Sequence, residues 1–189
     1  MYNMILIMGK SGSGKDLLFK TVDLLSANLF NNEYINIVKM ATTRPPRAGN
    51  KIESDYLFMT EEQFNKTETI AVSHFKNWCY GIPKAQLAEN KVNIVIANPL
   101  ALKKLISYQD VRILDILLLE VPDEERLRRQ LDREVAPDAS EIVRRFNADE
   151  EDFAEIDGQL QLVRKNNATV LDLISNAGLI LSWAKLNNL

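Results

Sequence analysis

Met4-Ile-Leu-Ile-Met8, running directly into Gly9-Lys-Ser-Gly-Ser-Gly-Lys15, is the stretch on which the fold turns. Five apolar residues without polar alternation have strand length, and a strand of that kind is covered on both faces, as in a parallel sheet. Gly9 ends it, and a helical pattern opens at Lys15. Between strand and helix, G-x-x-x-x-G-K describes a loop whose backbone N–H groups turn inward as a nest for phosphate oxygens, reinforced by the helix N-terminus. The same letters without a strand before and a helix after describe only a flexible linker. Gly9, Ser11, Gly12, Ser13, Gly14 and Lys15 are therefore candidate phosphate ligands, with Lys15 set to neutralise the β and γ phosphates of a nucleotide.

Asp16 stands where this pattern usually carries Ser or Thr, so the hydroxyl that helps hold Mg²⁺ is missing. A carboxylate beside a triphosphate is repelled unless a cation lies between them. Either Asp16 takes part in binding the metal or it turns away to cap the helix.

Outward from this loop, strands and helices alternate. Tyr34 to Val38, Val92 to Ala97 and Leu114 to Val121 read as further strands. Lys15 to Leu29, Pro99 to Ile106, Asp123 to Arg133, Ser140 to Phe153 and about Ala168 to Leu186 read as helices. Asp123, after Pro122, is placed as an N-cap, with Glu124 and Glu125 against the positive end of the helix dipole. Alternation with crossovers of this length implies parallel strands joined by right-handed connections, an α/β layered domain. Thr42 to Pro83 breaks the rhythm. There a Pro/Arg/Gly loop precedes a short strand, Tyr56 to Met59, and Thr60-Glu-Glu-Gln63 is a capping box that starts a short helix. Another strand, Thr69 to Phe75, completes a small inserted α+β lobe.

Composition narrows the classes. The chain has 189 residues, 46% apolar and 26% charged, the balance of one ordinary globular domain. A formal charge of -3 gives no footprint for nucleic acid. Apolar runs such as Gly178 to Trp183 fall far short of the roughly 20 residues of a membrane span, and no basic region precedes the apolar start, so a cytoplasmic protein is expected. One cysteine, Cys79, and one histidine, His74, build neither a disulfide nor a zinc site. His74 reads as a surface or packing residue, and Trp78 and Trp183 as packing residues.

Thr42-Thr-Arg-Pro-Pro-Arg-Ala-Gly49, Asp55-Tyr-Leu-Phe58 and Tyr80-Gly81 carry a second anion site. Arg44 and Arg47, stiffened by Pro45 and Pro46, present paired N–H donors suited to a dianionic phosphate, and the Tyr56 and Tyr80 hydroxyls add two more. The alternative is that the arginines solvate the surface and the tyrosines pack with wet tips. Together with the glycine loop, these motifs resemble the guanylate kinase family, over most of the first 155 residues. The resemblance implies a P-loop NTPase-type three-layer α/β fold with a five-stranded parallel core (1–40, 92–125 and 156–189), an inserted α+β monophosphate-binding arm (about 41–91) and a helical lid (about 126–155). It implies that Arg44, Arg47, Tyr56 and Tyr80 hold the acceptor phosphate, with Arg44 nearest the transferred group.

The lid reading rests on Arg126-Leu-Arg-Arg-Gln-Leu-Asp-Arg133, a short loop, and Ser140-Glu-Ile-Val-Arg-Arg-Phe146. The resemblance implies that Arg133 and Arg145 reach the ATP phosphates as the site closes, with Arg144 a neighbouring candidate. Arg126, Arg128 and Arg129 read as surface partners of Glu124 and Glu125.

Base recognition departs from the family. Its guanine-reading glutamate aligns with Ala71, an aspartate with Asn98, and two hydroxyl-bearing positions with Met40 and Ile82. Asn98 either reads a base edge or caps the helix at Pro99, and Ser73 shares a strand face with Ala71 in a regular strand. The expectation is an ATP- and Mg²⁺-dependent nucleoside monophosphate kinase, monomer or homodimer, catalysed by Lys15, Arg44, Arg133 and Arg145. Its rivals are a catalytically silent module that binds a phosphorylated or acidic peptide, and a kinase acting on a sugar phosphate.

Overall fold

In the computed structural model, residues 1–46, 56–75, 77–133, 137–156 and 162–188 are described, without the side chain of Arg133. Arg47, Gly49 and Asp55 lie outside the described residues. A parallel sheet holds, in spatial order, β2 (Ile35–Val38), β7 (Val92–Ile96), β1 (Tyr2–Gly9), β8 (Val111–Glu120) and β9 (Val163–Asn166). Central β1 pairs Ile7 with Ile96 on one side and Leu117 on the other. Met4, Leu6 and Met8 enter the core under α3 (Pro99–Ile106) and α5 (Ala139–Ala154), while Ile5 and Ile7 enter the core under α1 (Lys15–Phe30) and α6 (Val170–Leu186). Two-sided burial explains why this strand shows no alternation, and each of its side chains contributes about 1.5–3 kcal/mol by leaving water.

A second sheet, ordered β4 (Tyr56–Phe58), β3 (Met40–Thr42), β6 (Trp78–Pro83), β5 (Thr69–Phe75), forms the inserted lobe, with α2 (Glu61–Lys66) between β4 and β5. β2 and β3 are separated by Lys39 alone, so one strand path feeds both sheets. The Thr60 capping box forms as read: Thr60 Oγ1 accepts from the Gln63 N–H at 3.2 Å, and Gln63 Oε1 from the Thr60 N–H at 2.8 Å.

α4 (Asp123–Arg133) corrects one reading. Asp123 is the first helical residue, not the cap. The Pro122 carbonyl accepts the Arg126 N–H at 3.0 Å, and the Asp123 carboxylate pairs with the Arg126 guanidinium at 2.7 Å. Regular alternation also fails in β5, where the register with β6 slips between Ile70 and Ser73 and Ala71 has φ +52°. Ile70 and Ala71, neighbours in sequence, both enter the core as a result. No helix among the described residues is long and apolar enough to cross a membrane.

Candidate functional site

The glycine loop is shaped from outside, through its carbonyls. Lys15 Nζ donates to the carbonyls of Gly9 at 2.7 Å and Lys10 at 3.2 Å. Arg126 Nε donates to that of Ser11 at 3.1 Å, Arg129 Nη1 to that of Gly12 at 3.3 Å, and Asn167 Nδ2 to that of Ser13 at 2.8 Å. The Gly14 carbonyl accepts the first bond of α1, from the Leu18 N–H at 3.0 Å. Every carbonyl from Gly9 to Gly14 thus has a donor. In a trans peptide the next N–H points the opposite way, so anchoring Ser11 and Ser13 turns the N–H groups of Gly12 and Gly14 away from these anchors. Two glycines are required by contact as well as conformation. Gly12 has φ +82°, and a Cβ there would lie 2.5 Å from the Arg126 carbonyl oxygen; Gly14 has φ +87°, and its Cβ would lie 2.8 Å from Asn167 Nδ2. The result is a cavity of about 300 Å³ whose walls include Ser11, Gly12, Gly14, Lys15, Asp16, Tyr56, Arg129, Gln130 and Arg145.

Arg126 and Arg129, expected at the surface, sit instead beneath the loop. Arg126 is 2% exposed, and its guanidinium reaches Ser11, Asp123, Asp149 and Glu150. Arg129 also donates to the carbonyls of Asn167 at 3.2 Å and Ala168 at 2.9 Å. Arg128 keeps the surface role, paired with Glu125 and Asp132. A signal for Arg126 and Arg129 existed in Gly12, whose contact demands a close neighbour, but nothing in the sequence said which helix approaches.

Glu125 and Glu141 organise the arginines. Arg128 first and Arg129 second, by hydrogen bonding, hold the Glu125 carboxyl at about 2 against an ordinary 4.5. Arg144 and, after it, Arg145 depress Glu141 in the same direction. Carboxyls lowered on folding add stability that is fully present above their unfolded value and is lost as pH falls through the folded one. The thermal midpoint is therefore expected to lose the Glu125 contribution between pH 4.5 and 2 and the Glu141 contribution as pH falls further below 4.5, with neither lost between pH 7 and 5. In Glu125→Gln part of that acid fall should disappear; an unchanged acid profile would show that the Arg128 and Arg129 pairs contribute nothing.

On the arm side, a cavity of about 460 Å³ is walled by Arg44, Pro45, Pro46, Phe75, Trp78, Tyr80, Asp138, Glu141, Arg144 and Arg145. Arg44 is 7% exposed; its Nη1 donates to the Pro45 carbonyl at 2.9 Å, and its guanidinium centre lies 5.6 Å from the Tyr56 ring and 5.5 Å from the Phe58 ring. Two aromatic faces orient a charge that would otherwise be costly to bury. Tyr56, on the loop cavity, meets Tyr80, on the arm cavity, edge to face at 6.2 Å. Arg145 lines both cavities, its Nε bonded to Glu141 Oε1 at 3.0 Å. Arg133 ends α4, and Arg47 falls outside the described residues.

No protein-family model matches the chain. It is 35% identical to the guanylate kinase of Prochlorococcus marinus over 98 residues, 49% of this chain and 50% of that one, so the chain spans about half the length of that relative. With the guanylate kinase of Caldanaerobacter subterraneus identity is 28% over 180 residues, 89% of this chain and 79% of that one. A crystal structure of guanylate kinase from Anaplasma phagocytophilum superimposes with a TM-score of 0.61 at 17% identity, covering 100% of this chain and 87% of that chain. The chain is thus similar to guanylate kinases in sequence and in fold. Its parallel core, glycine loop and inserted lobe are the guanylate kinase fold, of P-loop NTPase type.

Of the four positions that the resemblance aligns with guanine contacts, three are apolar and buried, and the fourth, Asn98, is polar and exposed. Met40, Ala71 and Ile82 are buried in one core cluster against which Tyr56 and Tyr80 pack. The Ala71 N–H donates to Tyr108 Oη at 3.3 Å, and Lys104 Nζ donates to the Val72 carbonyl, so the β5 irregularity is tied to α3 and the turn after it. Asn98 is exposed and caps α3, its Oδ1 accepting the Ala101 N–H at 2.8 Å. Ser73 is buried at the slipped register. His74 lies exposed on β5, its Nδ1 3.4 Å from Cys79 Sγ across the hairpin.

Proposed function

We propose that the chain transfers the γ-phosphoryl group of ATP to a nucleoside 5′-monophosphate, with GMP and dGMP as the first acceptors to test. The observation that carries this reading is Arg145, which lines both the glycine-loop cavity and the Arg44–Tyr80 cavity. In the proposed reaction an oxygen of the acceptor phosphate attacks the γ-phosphorus, and the bond to the leaving ADP oxygen breaks. Gly9, Ser11, Gly12, Ser13, Gly14 and Lys15 cradle the donor phosphates. Arg44, Arg47, Tyr56 and Tyr80 hold the acceptor, while Arg133 and Arg145 offset charge on the equatorial oxygens. The acceptor is already an anionic oxygen, so the reading assigns no general base.

Asp16 lies in the first turn of α1 on the loop cavity, and among the described residues no group of three or more His, Cys, Asp or Glu can hold a metal. This donor set fits Mg²⁺, which keeps several waters and takes its other ligands from one or two carboxylates and the nucleotide phosphates. Bound there, Mg²⁺ would neutralise charge on the β and γ oxygens. Asp16 is the chain's contribution to it.

A second reading, a kinase for a sugar phosphate, draws on the apolar burial of Met40, Ala71 and Ile82 and on the engagement of Asn98 Oδ1 in a helix cap. Guanine presents two N–H donors that need acceptors, and a site without them loses discrimination that can reach about 10⁴ to 10⁵. ADP release measured with ATP and Mg²⁺ across a panel of nucleoside monophosphates and ribose phosphates decides between the two. Turnover with one or more nucleoside monophosphates is expected, with relaxed base preference. Turnover confined to ribose phosphates would select the second reading, and silence across the panel would leave a phosphopeptide- or acidic-peptide-binding module.

A further inference from the structure

Arg145 and Asp149 lie one turn apart on α5, on one stripe of the helix. Arg145 faces the two cavities, while Asp149 Oδ2 accepts the Ser11 N–H of the glycine loop at 2.6 Å. Buried Arg126 stands between loop and helix. Its Nη2 reaches Asp149 at 3.4 Å, its Nη1 reaches Glu150 at 3.3 Å, its Nε donates to the Ser11 carbonyl at 3.1 Å, and its guanidinium lies 4.5 Å from the centre of the Phe146 ring. Lys10 Nζ pairs with Glu150, whose carboxyl is lowered first by that contact. Two consecutive loop residues are thus joined to two consecutive residues of α5.

We propose that Asp149 is a positioning residue, a carboxylate clasp that fastens the lid helix to the phosphate loop and holds Arg145 beside the transferred phosphoryl group before nucleotide arrives. The proposal rests on the kinase reading above. Two observations separate a clasp from an anion that merely occupies the nest. Among the described residues, neither Asp149 nor Arg126 lines the loop cavity, so the carboxylate that holds the Ser11 N–H is not part of that cavity's wall. Its charge is also matched by Arg126, so it adds little repulsion toward a bound triphosphate. A guanidinium placed in advance avoids the ordering cost that a freely swinging lid would bear at each turnover.

The full chain, Asp149→Ala and Asp149→Asn are compared in turnover, in KM for ATP and acceptor, in thermal midpoint, and in amide hydrogen exchange of α5 without nucleotide. Asparagine keeps a side-chain oxygen that can accept the Ser11 N–H. In Asp149→Ala, kcat is expected to fall about 10- to 100-fold while acceptor KM moves less than about threefold, because a misplaced group costs rate more than binding. α5 amides should exchange at least about 10-fold faster there than in the parent chain, with α3 amides unchanged, since a helix released from its anchor opens locally. Asp149→Asn should recover most of both losses. Unchanged turnover, tighter ATP binding with unchanged kcat, or a loss that follows the thermal midpoint without rescue by asparagine would overturn the proposal. If the parent chain turns over no acceptor, the kinase reading fails by itself; equal α5 exchange in the parent and Asp149→Ala would then overturn the clasp separately.

Discussion

Arg145→Ala is expected to lower kcat by roughly 10³-fold or more, with KM for the acceptor monophosphate changing by less than about threefold. Phosphoryl transfer asks little covalent chemistry of the protein and much positioning of charge, so a guanidinium delivered to the equatorial oxygens can account for about 10³ to 10⁵ in rate. Among the described residues, Arg145 borders both the loop cavity and the arm cavity, and Glu141 holds it there at 3.0 Å from α5 itself. Arg144, which shares Glu141, stacks instead over Phe75 at 4.6 Å and lines only the arm cavity, so Arg144→Ala should act mainly on acceptor KM. Steady-state kinetics on the acceptor found in the panel assay provide the check. An Arg145→Ala enzyme within about tenfold of the parent kcat would take this residue out of the reaction, and equal kcat losses in both variants would mean that the pair acts only through the helix.

The parts legible in the sequence are those in which local pattern and tertiary need agree. Met4 to Met8 is apolar throughout because both faces of β1 are covered, and Gly12 and Gly14 recur because backbone and side chains press on the loop. β3 and β6 leave no strand signal of their own in the sequence. β3 has three residues, too few for a period, and β6 carries Gly81 and Pro83, which speak locally for a turn. β3 is held by a partner distant in sequence, Thr42 with Tyr80, and β6 by that pairing together with its hairpin with β5, Phe75 with Trp78. The regular facing of Ala71 and Ser73 fails for a related reason, since a register slip leaves no trace in composition. Arg126 is the instructive case at the site. Near Glu124 and Glu125 on a charged helix it has the signature of a solvated face, and only the approach of the glycine loop turns that position inward.

Arg126→Ala is expected to destabilise the fold by about 3–5 kcal/mol, because removing one member of a buried ion pair leaves the other desolvated without compensation. For a chain of this size that corresponds to a thermal midpoint lower by roughly 6 to 20 °C. Arg126 is 2% exposed and Asp149 17%, so the strandable charge is chiefly that of Asp149; Asp123 and Glu150, at 63% and 46%, can turn to water. The Ser11 carbonyl would lose its donor, and with it one anchor of the phosphate loop. Arg126→Lys should restore only part of the loss. An ammonium is a point charge and cannot reach Ser11, Asp149 and Glu150 from the fixed fork that a guanidinium provides. Combining Arg126→Ala with Asp149→Ala separates the network from simple packing: with the stranded carboxylate gone, the double variant should be less destabilised than the sum of the singles, by about 0.5–3 kcal/mol. Strict additivity in denaturant unfolding would mean that Arg126 acts through the Phe146 ring and the bulk of its stem, and that the charges around it are indifferent to one another.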